Sequence, residues 1–168
     1  YKFAFYFSKL ISGKVTIKKE KANLYDVVAY VEKYLGPRAA REKINFIVDY
    51  DCNIPELYID SNRMKQVFIN ILDNAFKFVK DEGERKVILK ARLEKDYIVI
   101  TIEDNGIGIS KEELPKIKEK FYKGKSSKSQ NGIGLSICDE IIKMHNGTLY
   151  IESEVNVGTT VYIKLPNV

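Results

Sequence analysis

Histidine occurs once in this chain, at position 145, and cysteine twice, at positions 52 and 138. Neither cysteine belongs to a C-x-x-C pair, so neither a zinc site nor a disulfide framework is expected, and a reducing compartment fits. With one histidine, no Ser/His/Asp or Cys/His triad can be assembled. His145 itself stands beside Asn146 and Gly147 and reads as a helix-end residue with a structural role. No stretch approaches the roughly 20 apolar residues that span a bilayer. Runs of five or six like charges, repeats and low-complexity linkers are all missing. The net charge of +5 is a diffuse lysine excess, which permits a phosphate-bearing partner without demanding one.

What is present suits an ordinary soluble globular domain, with 45% hydrophobic and 30% charged residues in a length of 168. A chain of this length buries roughly 70% of its unfolded surface as one domain. The opening "YKFAFYFSKLI" is apolar but short, carries Lys2 and Lys9, and lacks a signal-peptide pattern. It reads as the end of an amphipathic helix that packs on a neighbour outside this stretch, as in a fragment of something longer.

Periodicity organises the rest. "KVTIKK" (14–19) alternates like a strand, and Asn23 caps a helical run, "LYDVVAYVEKYL". "INFIVDY" (44–50) and "LYI" (57–59) read as strands bracketing a turn at Asn53, Ile54 and Pro55. Asp60 or Ser61 caps a long helix reaching about Lys80. "RKVILKARLEK" and "YIVITIED" alternate with period two around Asp96, the pattern of an antiparallel hairpin. From Ser110 to Asn131 the chain turns lysine- and serine-rich, with Pro115 and Gly124, as in a mobile surface loop with a short helix at its start. A helix resumes at Gly132 or Gly134 and stops at Asn146 and Gly147. Two strands, "TLYIESE" and "TTVYIKL", close the chain around a turn at 156–158. Strands interspersed with three long helices, without regular βαβ alternation, predict an α+β fold. It is a two-layer sandwich, with a mixed, mostly antiparallel sheet covered on one face by the helices.

Three stretches could carry chemistry. On the long helix, Gln66, Asn70, Asp73, Asn74 and Lys77 fall within an arc of about 100°, and apolar residues take most of the remainder. That strip is either solvated or lines a narrow opening, where an unsatisfied amide would cost about 1–3 kcal/mol. Amide oxygens are neutral ligands suited to Mg²⁺, and Lys77 can meet a phosphate. "EDNGIGI" (103–109) ends a strand on an acidic residue and sets Gly106 and Gly108 where backbone turns sharply or approaches a ligand. Asp104 there either is solvated at a turn or accepts a hydrogen bond from an exocyclic amine. "NGIGLSI" (131–137) opens a helix with free N–H groups, an anion site or a packing feature. It is no Walker loop, because no G-K-[ST] follows.

Taken together, "DSNRMKQVFINILDNAFKF", "DNGIGI", "KFYKG", "NGIGLSI" and "HNGTLYIESEVNVGTTVYIKLP" resemble the ATP-binding catalytic domain of two-component sensor histidine kinases. Its nucleotide fold, the Bergerat fold, is shared with gyrase and heat-shock-chaperone ATPases. The likeness covers about 14–166, so a domain at 14–168 is expected, with 1–13 ending the helix of a preceding dimerisation and phosphoacceptor hairpin. The resemblance implies ATP and Mg²⁺ as ligands, with Asn74 the principal metal ligand and Asn70 beside it. It implies phosphate contact by Lys77, an adenine border at Phe78, and adenine reading by Asp104. Gly106 and Gly108 would admit the base and ribose, with Ile109 and Thr159 also in the nucleotide site. Residues 110–131 would be a flexible ATP lid carrying Lys120, Tyr122 and Lys123, and Gly132, Gly134 and Leu135 its hinge and triphosphate cradle. The family's lid usually carries a Phe where this chain has Lys118.

The implied reaction is transfer of the γ-phosphate to a histidine on a separate hairpin, an acceptor this chain does not contain. Water-activating ATPases of the same fold carry a glutamate one turn before the metal-binding asparagine. Asn70 stands at that place here and is no general base. An ATPase or serine kinase on the same fold, and a degenerate nucleotide sensor, are the alternative readings. The implied partners are the hairpin of the same kinase and a response regulator, with a homodimeric parent and no nucleic acid. The implied location is cytoplasmic, in a parent that is either soluble or anchored in the cell membrane.

Overall fold

The computed structural model of the chain describes residues 17–116 and 132–167. The expected helix end at 1–13, and Lys118, Lys120, Tyr122 and Lys123 of the expected lid, lie outside those residues.

Helix α1 (Leu24–Arg41) starts where Asn23 accepts the Tyr25 N–H at 3.0 Å. It buries Leu24, Val27, Val28, Val31 and Leu35 on one stripe, as the periodicity requires. The helix does not stop at Leu35 but runs six residues further, through Pro37. A proline inside a helix costs about 3 kcal/mol. Burial of Ala39 and the anchoring of Arg38 to the next helix offset that cost, which no local pattern could reveal.

Helix α2 (Ser61–Lys77) is capped by Asp60, whose carboxylate accepts the Arg63 N–H at 3.1 Å. It ends three residues earlier than its apolar pattern suggests, with Phe78 at the C-cap. The Phe78 carbonyl is already taken by the Ile107 N–H at 2.9 Å, so the chain is turned aside there.

Among the described residues, seven strands form two sheets. Strand β1 (Glu20–Ala22) pairs antiparallel with β3 (Leu57–Ile59), Glu20 opposite Ile59. Of the expected strand at 14–19, residues 14–16 lie outside the described residues and 17–19 are not strand; among the described residues pairing begins at Glu20. The reason is the end of β3, because Asp60 becomes a helix cap. The Lys18 N–H then meets the Asp60 carboxylate at 2.8 Å instead of a ladder carbonyl.

The main sheet has the order β2 (Asn45–Tyr50), β4 (Lys86–Glu94), β5 (Tyr97–Asp104), β7 (Gly158–Pro166), β6 (Thr148–Glu154). Only β2 and β4 run parallel, so the sheet is mixed and mostly antiparallel, as expected. Helix α3 (Gly132–Met144) completes the helical layer, with α2 packed against both α1 and α3. Alternate residues Ile98, Ile100 and Ile102 of central β5 are buried with Phe68, Leu72, Phe76 and Ile141. The same alternation puts Asp104 on the helix-covered face, at the strand's end.

Candidate nucleotide site

Asn70 and Asn74 lie on consecutive turns of α2, with 1% and 9% exposure. The Asn70 Nδ2 donates to the Cys138 Sγ of α3 at 3.3 Å, and the thiol donates to the Val67 carbonyl at 3.7 Å. Burial pushes the Cys138 thiol up to about 12, so it is a neutral S–H group. The Asn70 Oδ1 is buried without a hydrogen-bond partner among the described residues.

The expected single polar strip is divided. Asp73 turns to α1, where its Oδ1 meets Arg38 Nη1 at 2.6 Å, and its Oδ2 holds Lys77 Nζ at 3.1 Å. Arg38 in turn bonds Glu42 at 2.6 Å and lies over the Phe76 ring. Asn70 of the strip reaches α3 through a direct hydrogen bond. The division follows from neighbours on both sides of α2, which helical angles alone cannot reveal.

The glycine loop after β5 closes against the end of α2. The Gly106 N–H donates to Asp104 Oδ1 at 2.8 Å. A Cβ on Gly106 would collide with the Phe78 carbonyl oxygen, so only glycine lets the loop and the helix end touch. Gly108 sits at φ +77°, where a side chain is strained, with the Glu154 carbonyl against it. Ile109 donates its N–H to Ser153 Oγ at 2.7 Å, and Ser153 Oγ donates to the Gly158 carbonyl at 3.1 Å. Thr159 Oγ1 lies 2.7 Å from the same hydroxyl. Thr159 also faces Asp104 across the β5–β7 ladder.

Burial pushes the Asp104 carboxyl up to about 6, although backbone N–H groups of Gly106 and Thr159 pull it down. It is buried and predominantly ionised above that pH, an acceptor held in place by backbone donors. Asp104, Gly106 and Thr159, and Ile109 through Ser153, thus form one hydrogen-bonded unit, with Gly108 packed against the Glu154 carbonyl beside it and Phe78 joined through Ile107. Phe78 itself is half-buried. Gly132 and Gly134 lie in the first turn of α3, and Leu135 after them is buried.

Three contributors escaped the sequence reading. Asn105 accepts the Lys86 N–H at 2.9 Å and donates to the Glu84 carbonyl at 2.8 Å, fixing the loop's start. Its place before a glycine in a turn was a usable signal. Ser153 and Cys138 gave none, being a strand hydroxyl and a mid-helix thiol whose contacts with Ile109 and Asn70 are distant in sequence. His145 has the structural role expected: its Nε2 accepts the Asp60 N–H at 3.0 Å and its Nδ1 donates to the Ile141 carbonyl at 2.8 Å.

Among the described residues no group of three or more His, Cys, Asp or Glu side chains could hold a metal. A cation here would rely on amide oxygens and on ligand phosphates, the arrangement Mg²⁺ accepts readily. The unpartnered, buried Asn70 Oδ1, one turn before Asn74, fits that requirement.

Residues 59–168 match the family described as histidine kinase-, DNA gyrase B-, and HSP90-like ATPase. The chain belongs to that family. Its curated relatives include sporulation kinase E of Bacillus subtilis, 34% identical over 157 residues, covering 94% of this chain and 21% of the relative. Across the first relatives the chain spans only 20% to 30% of their length. A solved catalytic domain of histidine kinase ThkA superposes with a TM-score of 0.78 at 24% identity, covering 90% of this chain and 97% of that one. Full-length ShkA in complex with AMPPNP gives 0.84 at 21% identity, over 98% of this chain and 34% of that one. At these identities the structures establish the fold alone. Among the described residues of this ATPase-family domain, no helix is long and apolar enough to cross a membrane.

Proposed function

We propose that this domain binds Mg-ATP and transfers its γ-phosphate to a histidine on a separate helical hairpin, as the catalytic part of a sensor histidine kinase. The observation that carries the reading is the amide pair on α2: a buried, unpartnered Asn70 Oδ1 one turn before Asn74. The one carboxylate on that helix, Asp73, is tied to Arg38 and Lys77. Among the described residues this helix thus offers no unpaired carboxylate to activate water, which supports transfer over hydrolysis.

In this reading Asp104 accepts a hydrogen bond from the adenine amine, and Phe78, Ile109 and Thr159 border the base and ribose. The N–H groups opening α3 at Gly132, Gly134 and Leu135 receive the triphosphate. Lys77 would meet phosphate by exchanging its contact with Asp73, a half-exposed pair worth about 1 kcal/mol or less. Asn74 and Asn70 would hold Mg²⁺ through their amide oxygens, and the ion would supply charge neutralisation on the phosphates. Lys120, Tyr122 and Lys123 would add charge and hydrogen bonds from the lid. Catalysis then rests on positioning, with the acceptor histidine as nucleophile. The domain covers 14–168, and its partners are the hairpin of a homodimeric, cytoplasm-facing parent and a response regulator.

Purified alone, the chain should bind ATP without labelling itself, and should label an added hairpin that carries the acceptor histidine. Acid-stable phosphate on the chain itself would point to a serine kinase instead. Steady ATP hydrolysis without any acceptor would overturn the transfer reading.

A further inference from the structure

The contact between α2 and α3 at Asn70 and Cys138 joins a side-chain amide to a thiol between two packed helices. The thiol proton is directed to the Val67 carbonyl at 3.7 Å, so the sulfur lone pairs face the Asn70 amide nitrogen at 3.3 Å. A reversed amide would set its oxygen against those lone pairs and turn its NH₂ group the other way. With the thiol proton on the Val67 carbonyl, only the amide orientation that turns NH₂ to the sulfur is matched. In that orientation Oδ1, the one atom of the amide able to bind a cation, is the atom left without a partner. Both side chains are 1% exposed, so no bulk water competes for the choice.

We infer that Cys138 is a positioning residue for the metal: its sulfur holds the Asn70 amide so that Oδ1, and not NH₂, is presented. The inference rests on the reading of Asn70 as a Mg²⁺ ligand. It also ties the α3 helix, whose first turn would cradle the phosphates, to the residue that would hold the metal between them. Groups that orient a metal ligand typically change metal affinity by about 10- to 100-fold when removed. A thiol is a weak acceptor, so the low end of that range applies.

The test is calorimetry of AMPPNP binding in Mg²⁺ and in EDTA, on wild type, Cys138→Val, Cys138→Ala, Cys138→Ser and Asn70→Ala. In Mg²⁺ the Val and Ala variants should bind about tenfold more weakly, while Ser, which retains a donor and an acceptor, should recover most of the affinity. In EDTA the three Cys138 variants should match wild type. Side-chain amide signals of Asn70 in the metal-free protein should shift in Cys138→Val and return in Cys138→Ser. Should the Val variant fail to fold, the Ala variant decides. Wild-type affinity in Mg²⁺ for either apolar variant, or equal losses with and without the metal, would overturn the positioning role. Wild type binding equally in Mg²⁺ and EDTA would overturn the metal reading of Asn70 itself, a separate outcome.

Discussion

The carbonyl of Phe78 and the α-carbon of Gly106 are packed so closely that no side chain fits between them. The same carbonyl accepts the Ile107 N–H at 2.9 Å. One backbone oxygen thus fastens the end of α2 to the loop that carries Asp104. Because the obstacle to a Cβ is backbone, Gly106→Ala cannot be relieved by a side-chain rotation. Overpacking of this kind costs about 1–3 kcal/mol, and the upper end is expected. Urea denaturation should show a lowered midpoint with an unchanged slope; a variant as stable as wild type would show that the loop can yield.

Asp104→Asn separates two effects of the buried carboxylate. Without nucleotide its carboxyl titrates at about 6 instead of 3.8, so between these values the folded chain binds more protons than the unfolded one. Stability from this group therefore falls as pH rises through that window, by roughly 3 kcal/mol in all. The stability of the variant relative to wild type should accordingly climb between pH 4 and pH 7. Adenine nucleotide affinity at pH 7.5 should drop about tenfold or more, since a hydrogen bond to a charged group is worth about 1.5–3 kcal/mol. Unchanged calorimetric affinity would remove Asp104 from the adenine site.

Asn74→Ala tests the metal role proposed for that residue. Nucleotide affinity should become the same in Mg²⁺ and in EDTA. Phosphotransfer to an added hairpin should fall by about 100-fold or more, beyond the 10- to 100-fold typical of outer partners. A variant with normal Mg-ATP affinity and normal transfer would place the metal elsewhere.

His145 should make the domain sensitive to acid. Its Nε2 accepts the Asp60 N–H, so a proton added there would set two donors against each other. Burial lowers its pKa below 6.5, with Lys19 acting in the same direction and the Ile141 carbonyl and Asp60 opposing. The stability that neutral His145 contributes is present above pH 6.5 and is lost as pH falls through its depressed value. The stability gap between wild type and His145→Gln, followed by urea titration, should narrow from pH 7.5 to pH 5. A gap independent of pH would mean that the ring accepts no bond from Asp60.

Most elements of this fold were legible in local pattern. The stripe of Leu24, Val27, Val28, Val31 and Leu35, the alternation of Ile98, Ile100 and Ile102, and the cap at Asn23 each follow from a repeat of two or 3.6 residues. Asp104, Asn74 and the glycine pairs were legible as candidates because residue type and spacing restrict what they can do. Errors fell where a distant neighbour decides. Asp60 ends the β1–β3 ladder, Arg38 carries α1 past Pro37, and Ile107 stops α2 at Lys77.

The amino-acid sequence by itself determined the α+β class, the order of elements and which residues are candidates for a nucleotide site. Tertiary structure alone decided which of them face one another. It turned Asp73 to Arg38 and Asn70 to Cys138, pushed the Asp104 carboxyl up to about 6, and drew Ser153 under the glycine loop. Periodicity is a property of neighbours along the chain. Burial, amide orientation and proton affinity depend on atoms tens of residues away, and those meet only when the sheet and its helices pack.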